Sequence, residues 1–412
     1  MPSTVPNPLL APAGAAPQGG PILILLPAGA AGQRVVLGLD LVTRMALAAA
    51  RAGYARVLGL SPAVAPGLET VSTWREAADS GEASVLVIAS SAVLGETGWL
   101  KRLAEWRLEP GTWAAAGGRI AVVSGMGLSK ALAALEESGG AMTMAAVVAG
   151  LTRHLQAPAA MLPDVDPLAV EGLEDIPAAE RRLLRALVKD TDGFMARHVE
   201  RPMSLAISRH LAATSVTPNQ MTLISVAIGV AAAPFFLSAA AAWQTLGAIL
   251  FLAHSILDGC DGELARLKFK ESRGGGVLDF WGDNVVHSAI FACMAIGWSA
   301  AIGEHWPLLL GAAAVIGTLG SAGFIYWRVM RPKTGPDPLY TSVSTAPDGR
   351  FAKLLDALSR RDFIYIVLLL ALFGRADWFL VMTAVGAPIY FAMLVLLAMR
   401  EPAVEKPEPR TA

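Results

Sequence analysis

Asp258, Asp261, Asp279 and Asp283 stand between uncharged runs that are apolar enough to lie in a membrane. An ionised carboxylate on a membrane helix is costly, so several at one depth call for a metal ion or a substrate that compensates their charge. Asp258, Asp261 and Ala265 recur at i, i+3 and i+7, and Asp279 and Asp283 at i, i+4, so each set occupies one helical face. Two short carboxylate faces can then converge on one site. Four carboxylates are hard oxygen donors, which select Mg²⁺ or Mn²⁺ over zinc. Displacement at a diphosphate needs such cations, a base for the attacking hydroxyl and a cationic group near the leaving phosphate. The carboxylates and the nearby Arg266 are residues of those types. Acids solvated at helix ends, or paired with Arg266, Lys268, Lys270 and Arg273, are the plainer alternative; it suits one acid better than four at fixed offsets.

Written out, the stretch is D-x-x-D-G-x-x-A-R, eight residues, then G-x-x-x-D-x-x-x-D, filled by Asp258, Asp261, Gly262, Ala265, Arg266, Gly275, Asp279 and Asp283. It resembles the signature of the CDP-alcohol phosphotransferase (CDP-alcohol phosphatidyltransferase) family of integral membrane enzymes. The resemblance implies transfer of a phosphoalcohol group from a CDP-alcohol to a second hydroxyl, with loss of CMP. It further implies two divalent ions, Mg²⁺ or Mn²⁺, with Asp258, Asp261 and Asp279 as ligands and Asp283 as general base and additional ligand. Gly262, Ala265 and Gly275 are small enough for a nucleotide to approach the helix backbone, and Arg266 can hold a phosphate by a forked contact. A P-N-x-x-T element before the first membrane helix also occurs in the family. Here it brings Asn219 and Thr222, which read equally as nucleotide contacts and as a helix cap. Arg361, beside Asp362 at the mouth of a span, is the preferred partner for a phosphate on the acceptor. His254 and His287 read as packing residues.

The chain has 412 residues, 54% of them hydrophobic, with mean hydropathy +0.51. Long uncharged apolar runs occur only after Thr214, which divides the chain into a soluble half and a membrane half. The formal net charge of -1 points to no partner, and no nucleic acid is expected. Cys260 and Cys293 both lie in the membrane half, which suits a reducing cytoplasm and gives no disulfide framework.

Residues 1–20 form a Pro/Ala/Gly-rich stretch that reads as a disordered leader, and 401–412 as a disordered tail. Residues 21–160 alternate buried-strand and helix patterns. Ile22–Leu26 is a first strand, Leu41–Arg51 a helix, and Arg56–Leu60, Ser84–Ala89 and Arg119–Val123 further parallel strands, giving a three-layer α/β sandwich. Its order looks like the nucleotidyltransferase fold. The resemblance fails where chemistry would live: the glycine loop Gly29-Ala-Ala-Gly32-Gln-Arg34 is one residue too long, no lysine precedes Lys101, and Ser90-Ser91 stand where a metal-binding acid is expected. The domain therefore reads as a catalytically degenerate relative.

Residues 161–189 read as a linker and a charged helix, and 190–400 as the phosphotransferase domain. Asp190–Ala213 is expected to be an amphipathic juxtamembrane helix on the membrane surface, with a break at Pro202. Six spans follow: Met221–Ala242, Trp243–Leu264, Leu278–Ile302, Trp306–Trp327, Phe363–Phe373 with its flanks, and Trp378–Met399. Basic residues concentrate in the second-to-third and fourth-to-fifth loops, which places both termini and the aspartates on the cytoplasmic side of a bacterial-type inner membrane. Expected partners are a CDP-diacylglycerol or CDP-polyol donor, a polyol or polyol-phosphate acceptor, membrane lipid and a second copy of the chain, with Gly311–Ala314 and Gly317–Gly323 permitting close helix contact. The rivals are a bifunctional enzyme whose first domain makes the CDP-alcohol, and a non-catalytic membrane scaffold.

Overall fold

Five consecutive apolar residues whose side chains alternate between the two buried faces of the sheet, Ile22–Leu26, form the central strand β1 of the first folding unit. In the computed structural model, which describes residues 19–60, 65–74, 76, 84–106, 112–124, 136, 143–155, 165–188, 193–332 and 363–400, the chain divides into two units. The first comprises Met1–Leu187 with Leu267–Phe269, and the second the remainder. The expected leader, tail, Arg361 and the loop around it lie outside the described residues.

In the first unit a short hairpin, β2 (Val35–Val36) and β3 (Leu39–Asp40), leads into helix α1 (Leu41–Arg51), whose N-terminus is capped by Asp40 accepting from the Thr43 amide at 2.8 Å. Strands β4 (Arg56–Leu60), β5 (Glu69–Val71) and β6 (Val85–Ser90), helix α2 (Thr97–Glu105), strands β7 (Trp113–Ala116) and β8 (Ile120–Ser124), and helices α3 (Met144–His154) and α4 (Ile176–Arg185) follow. The sheet order is β5-β4-β1-β6-β8-β7. Leu23, Leu25, Val57 and Val87 pack with Met45 of α1 and Trp99 of α2 on one face. Ile24, Leu58, Leu86 and Ile88 pack with Val147 and Leu151 of α3 on the other. Burial on both faces explains why the strands read as continuous apolar runs.

One expectation fails here. β8 is antiparallel to β6, not parallel. The reason is β7, which pairs antiparallel with β8 through a tight turn at Gly117-Gly118, both at positive φ (54° and 62°). A hairpin turn of that kind needs positive φ at both central residues, which two glycines allow without steric cost.

The stretch after α3, read as a connection, folds onto the first unit. The Val170 amide donates to Ala92 and the Leu94 amide to Leu168, each at 2.8 Å, so this stretch crosses the end of β6. At the same edge the Ser91 hydroxyl accepts from the Ala28 amide at 2.9 Å, and the Arg34 guanidinium donates to the Val170 carbonyl at 2.9 Å.

The second unit begins with a π turn, Ala196–Glu200, that runs into helix α5 (Arg201–Ala212). Pro202 directly follows the π turn, whose looser winding accommodates the missing amide proton, so helical backbone continues and the expected break does not occur. The helix buries Ser204, Ser208 and Ala212, and Glu200 before it, while Phe194 and Met203 face outward. Its docked face is thus the small, polar one. Helices α6 (Pro218–Ala232), α7 (Ala241–Leu267), α8 (Arg273–Ile302), α9 (Trp306–Ile325), α10 (Phe363–Leu372) and α11 (Ala376–Arg400) follow. Phe236, Phe251, Ile290, Phe291, Val367 and Phe379 are among the side chains of their shared core.

Among the described residues, four stretches are long and apolar enough to cross a membrane: Pro218–Leu237, Arg273–Ile302, Trp306–Met330 and Ala376–Met399. Six were expected. α7 is long enough, but Gln244, His254, Asp258, Asp261 and Glu263 dilute its apolar character, and α10 has only 10 residues. Gly311 and Gly317, expected to permit contact between copies, lie against Ala295 and the Ala387-Pro388 backbone inside the bundle.

Candidate functional site

The acids are positioned by the end of α7 and the start of α8. α7 closes where Phe269 adopts φ 52° and the Lys270 amide returns to the Ala265 carbonyl at 2.8 Å. α8 opens on Ser272, whose hydroxyl accepts from the Gly275 amide at 3.0 Å. This sharp reversal brings Asp258 and Asp261 of α7 to Asp279 of α8. One ligand atom from each of the three lies within 4.8 Å of the others. Asp258 and Asp261 are buried, and Oδ1 of Asp279 is buried without a hydrogen-bond partner. Three carboxylates so close repel one another unless a cation sits among them. The all-oxygen donor set and the orphaned Asp279 oxygen fit a hard divalent ion.

Asp283, one turn further along α8, stands outside that trio. Its Oδ1 is 3.5 Å from His254 Nε2, and His254 Nδ1 is 2.9 Å from the Ser225 carbonyl of α6. A carbonyl only accepts, so Nδ1 carries a proton and Nε2 is the atom turned to Asp283. Sequence reasoning left His254 out. Its signal was the i, i−4 relation to Asp258, which puts it one turn back on the carboxylate face.

The residues expected around the nucleotide converge on the same place. The Thr222 hydroxyl donates to Asp261. Asn219 stands over Gly275, where a Cβ would come within 2.8 Å of its Oδ1. Neither caps α6: that is done by Thr217 and Gln220, each accepting from the other's backbone amide. Gly262 is bordered by Arg266, whose Nη1 would lie 3.3 Å from a Cβ there. Arg266 Nε is buried without a hydrogen-bond partner, and Ala265 is buried beside it. Glu263 was also missed; its carboxylate is buried and held by α5.

A carboxylate cluster shared by two adjoining helices, in a unit with stretches apolar enough to cross a membrane, has the donor set to hold a divalent cation. Residues 215–347 match the family described as CDP-alcohol phosphatidyltransferase. The chain is 37% identical over 151 residues to a bifunctional IPC transferase and DIPP synthase of Thermococcus kodakarensis, covering 36% of this chain and 33% of that protein. It is 35% identical over 100 residues to an archaetidylinositol phosphate synthase of Pyrococcus horikoshii, covering 24% of this chain and 50% of that one. The matched part thus spans a third to a half of these relatives' length. The crystal structure of Mycobacterium tuberculosis phosphatidylinositol phosphate synthase with CDP-DAG bound aligns with 50% of this chain and 98% of its own, at 18% identity and a TM-score of 0.36.

Proposed function

We propose that this protein is an integral-membrane CDP-alcohol phosphotransferase that moves a phosphoalcohol group from a CDP-alcohol to an acceptor hydroxyl and releases CMP. The observation that carries the reading is the division of labour among the acids: Asp258, Asp261 and Asp279 bring donor atoms within 4.8 Å of one another, while Asp283 faces His254 beside them. Asp258, Asp261 and Asp279 would hold Mg²⁺ or Mn²⁺, which when bound supplies charge stabilisation for the donor diphosphate.

The chain's own groups then act as follows. Arg266 holds a phosphate, Gly262, Ala265 and Gly275 admit the nucleotide to the helix surface, and Asn219 orients it above Gly275. Thr222 fixes the Asp261 carboxylate. Asp283 accepts the proton of the acceptor hydroxyl, whose oxygen forms a new bond to the β-phosphorus. The bond from that phosphorus to the bridging oxygen breaks, and CMP departs with that oxygen.

α7 and α10 complete a six-helix membrane domain in this reading, since Phe251 of α7 and Val367 of α10 are buried in the common apolar core. In this reading the basic residues Lys268, Lys270 and Arg273 between α7 and α8 face the cytoplasm by the positive-inside rule. The first domain is taken as a non-catalytic relative of nucleotidyltransferases.

CMP release from CDP-diacylglycerol, with a panel of polyols and polyol phosphates as acceptors, tests the reaction. Turnover that needs Mg²⁺ or Mn²⁺ is expected, and Asp283→Asn should slow it by about 10²-fold or more. Wild-type turnover in Asp283→Asn would remove Asp283 as base. No CMP from any lipid-linked or soluble CDP-alcohol would leave the scaffold reading.

A further inference from the structure

Glu263 sits inside the signature, next to Gly262, yet the chemistry above makes no use of it. Its side chain is 0% exposed. Three donors from α5 hold it: Arg201 Nη1 at 2.9 Å and the Ser204 hydroxyl at 2.7 Å on Oε1, and the Ser208 hydroxyl at 2.7 Å on Oε2. A buried carboxylate is tolerated only when its oxygens are satisfied in this way, and here one short helix supplies all three donors. Glu200, on the same face of the juxtamembrane segment, accepts from the Ser255 hydroxyl of α7 at 3.0 Å. Between these two contacts lies Gly259. A Cβ there would be 3.4 Å from Arg201 Nη1 and 3.6 Å from the Ser204 side chain, so α5 lies directly on the turn of α7 that carries Asp258 and Asp261.

We propose, resting on the phosphotransferase reading, that Glu263 is a positioning residue: by anchoring α5 to α7 through Arg201, Ser204 and Ser208 it fixes the turn whose other side presents Asp258 and Asp261. A carboxylate pair closes around a cation only when its backbone is held in register, and polar groups that orient ligands from behind typically change metal affinity by 10–100-fold when removed. The serines suit the task. They are small enough for close helix approach, and their hydroxyls reach a partner on the facing helix.

The test uses the full-length protein in lipid nanodiscs. Mn²⁺ binding is read by electron paramagnetic resonance, kcat and KM by CMP release, and folding by the thermal transition. Glu263→Gln should keep a cooperative transition while weakening Mn²⁺ binding by about tenfold, lowering kcat and leaving the acceptor KM within about twofold. Glu263→Asp, which restores the charge on a shorter arm, should recover part of the Mn²⁺ affinity. Wild-type Mn²⁺ affinity in Glu263→Gln overturns the proposal. If that variant does not fold, Ser208→Ala decides: weaker Mn²⁺ binding supports the proposal, and unchanged binding overturns it. A wild-type protein that binds Mn²⁺ but transfers nothing from any CDP-alcohol removes the reaction reading, and the Mn²⁺ comparison still judges Glu263. A wild-type protein that binds no Mn²⁺ overturns both.

Discussion

Asn219 and Thr222 lie in the first two turns of α6, near the helix start, where caps and ligand contacts draw on the same residue types. The sequence left the two jobs open. Thr217 and Gln220 form the cap, so Thr222 is available to Asp261 and Asn219 to the space above Gly275. The aspartates were legible because carboxylates at helical spacing among apolar residues are too costly to keep unless a bound group offsets their charge. His254 was not, because a lone membrane histidine is ordinarily a packing residue and its approach to Asp283 depends on how α8 packs against α7. Gly275 gives a test at this scale. A methyl group there would meet Asn219 Oδ1 at 2.8 Å, at the end of a side chain that can swing aside, while the Ser272 hydroxyl at 3.0 Å is held by its cap to the Gly275 amide. Gly275→Ala should therefore fold normally but displace Asn219, raising KM for the CDP-alcohol by about tenfold, the equivalent of one lost hydrogen bond. An unchanged KM would show that neither Gly275 nor Asn219 borders the nucleotide.

At the level of elements, strand and helix positions followed closely from local pattern, whereas direction and docking face did not. Ile22–Leu26, Leu41–Arg51 and Arg56–Leu60 have the bounds that apolar periodicity assigns them. The direction of β8 depends on the Gly117-Gly118 turn, whose signal was present in the sequence but was overshadowed by the expectation of strand-helix alternation. A Cβ at Gly118 would meet nothing within 4 Å, so the cost of a side chain there is purely conformational. Gly118→Ala should lower the stability of the first domain by about 1–2 kcal/mol, the usual penalty for an alanine forced into the left-handed region. Gly118→Asn should cost less, because asparagine tolerates that conformation. Equal thermal midpoints for the two variants would argue against a strained turn. The docked face of α5 was not legible for a different reason. Its apolar residues were read as a stripe on the membrane surface, and Phe194 and Met203 do face outward, while the docked face is marked by Glu200, Ser204, Ser208 and Ala212, four residues apart, a pattern of small and polar groups that a search for hydrophobic periodicity does not detect.

For the whole molecule, the two units call for opposite chemical expectations. The membrane unit has buried acids gathered with Oδ1 of Asp279 lacking a hydrogen-bond partner, an arrangement that favours a bound cation. The first unit has the reverse at the end of β1 and β6, where a nucleotidyltransferase would bind its substrate. Ser91 stands at the expected acid and is bonded to the Ala28 amide, and Arg34 is turned to the Val170 carbonyl. Gly32 is hemmed in by Ser91 and Val42. Nucleotidyl transfer from CTP needs a carboxylate to hold Mg²⁺ against the triphosphate, and neither serine at the end of β6 can replace it. The full-length protein supplied with CTP, Mg²⁺ and a phosphoalcohol should therefore release no pyrophosphate, while the same preparation releases CMP from a preformed CDP-alcohol. Pyrophosphate formation that disappears in Ser91→Ala would make the first domain an enzyme of unfamiliar design and restore the bifunctional reading. Its absence makes the CDP-alcohol an input to this protein, made elsewhere by a cytidylyl-transfer reaction and delivered to the membrane site.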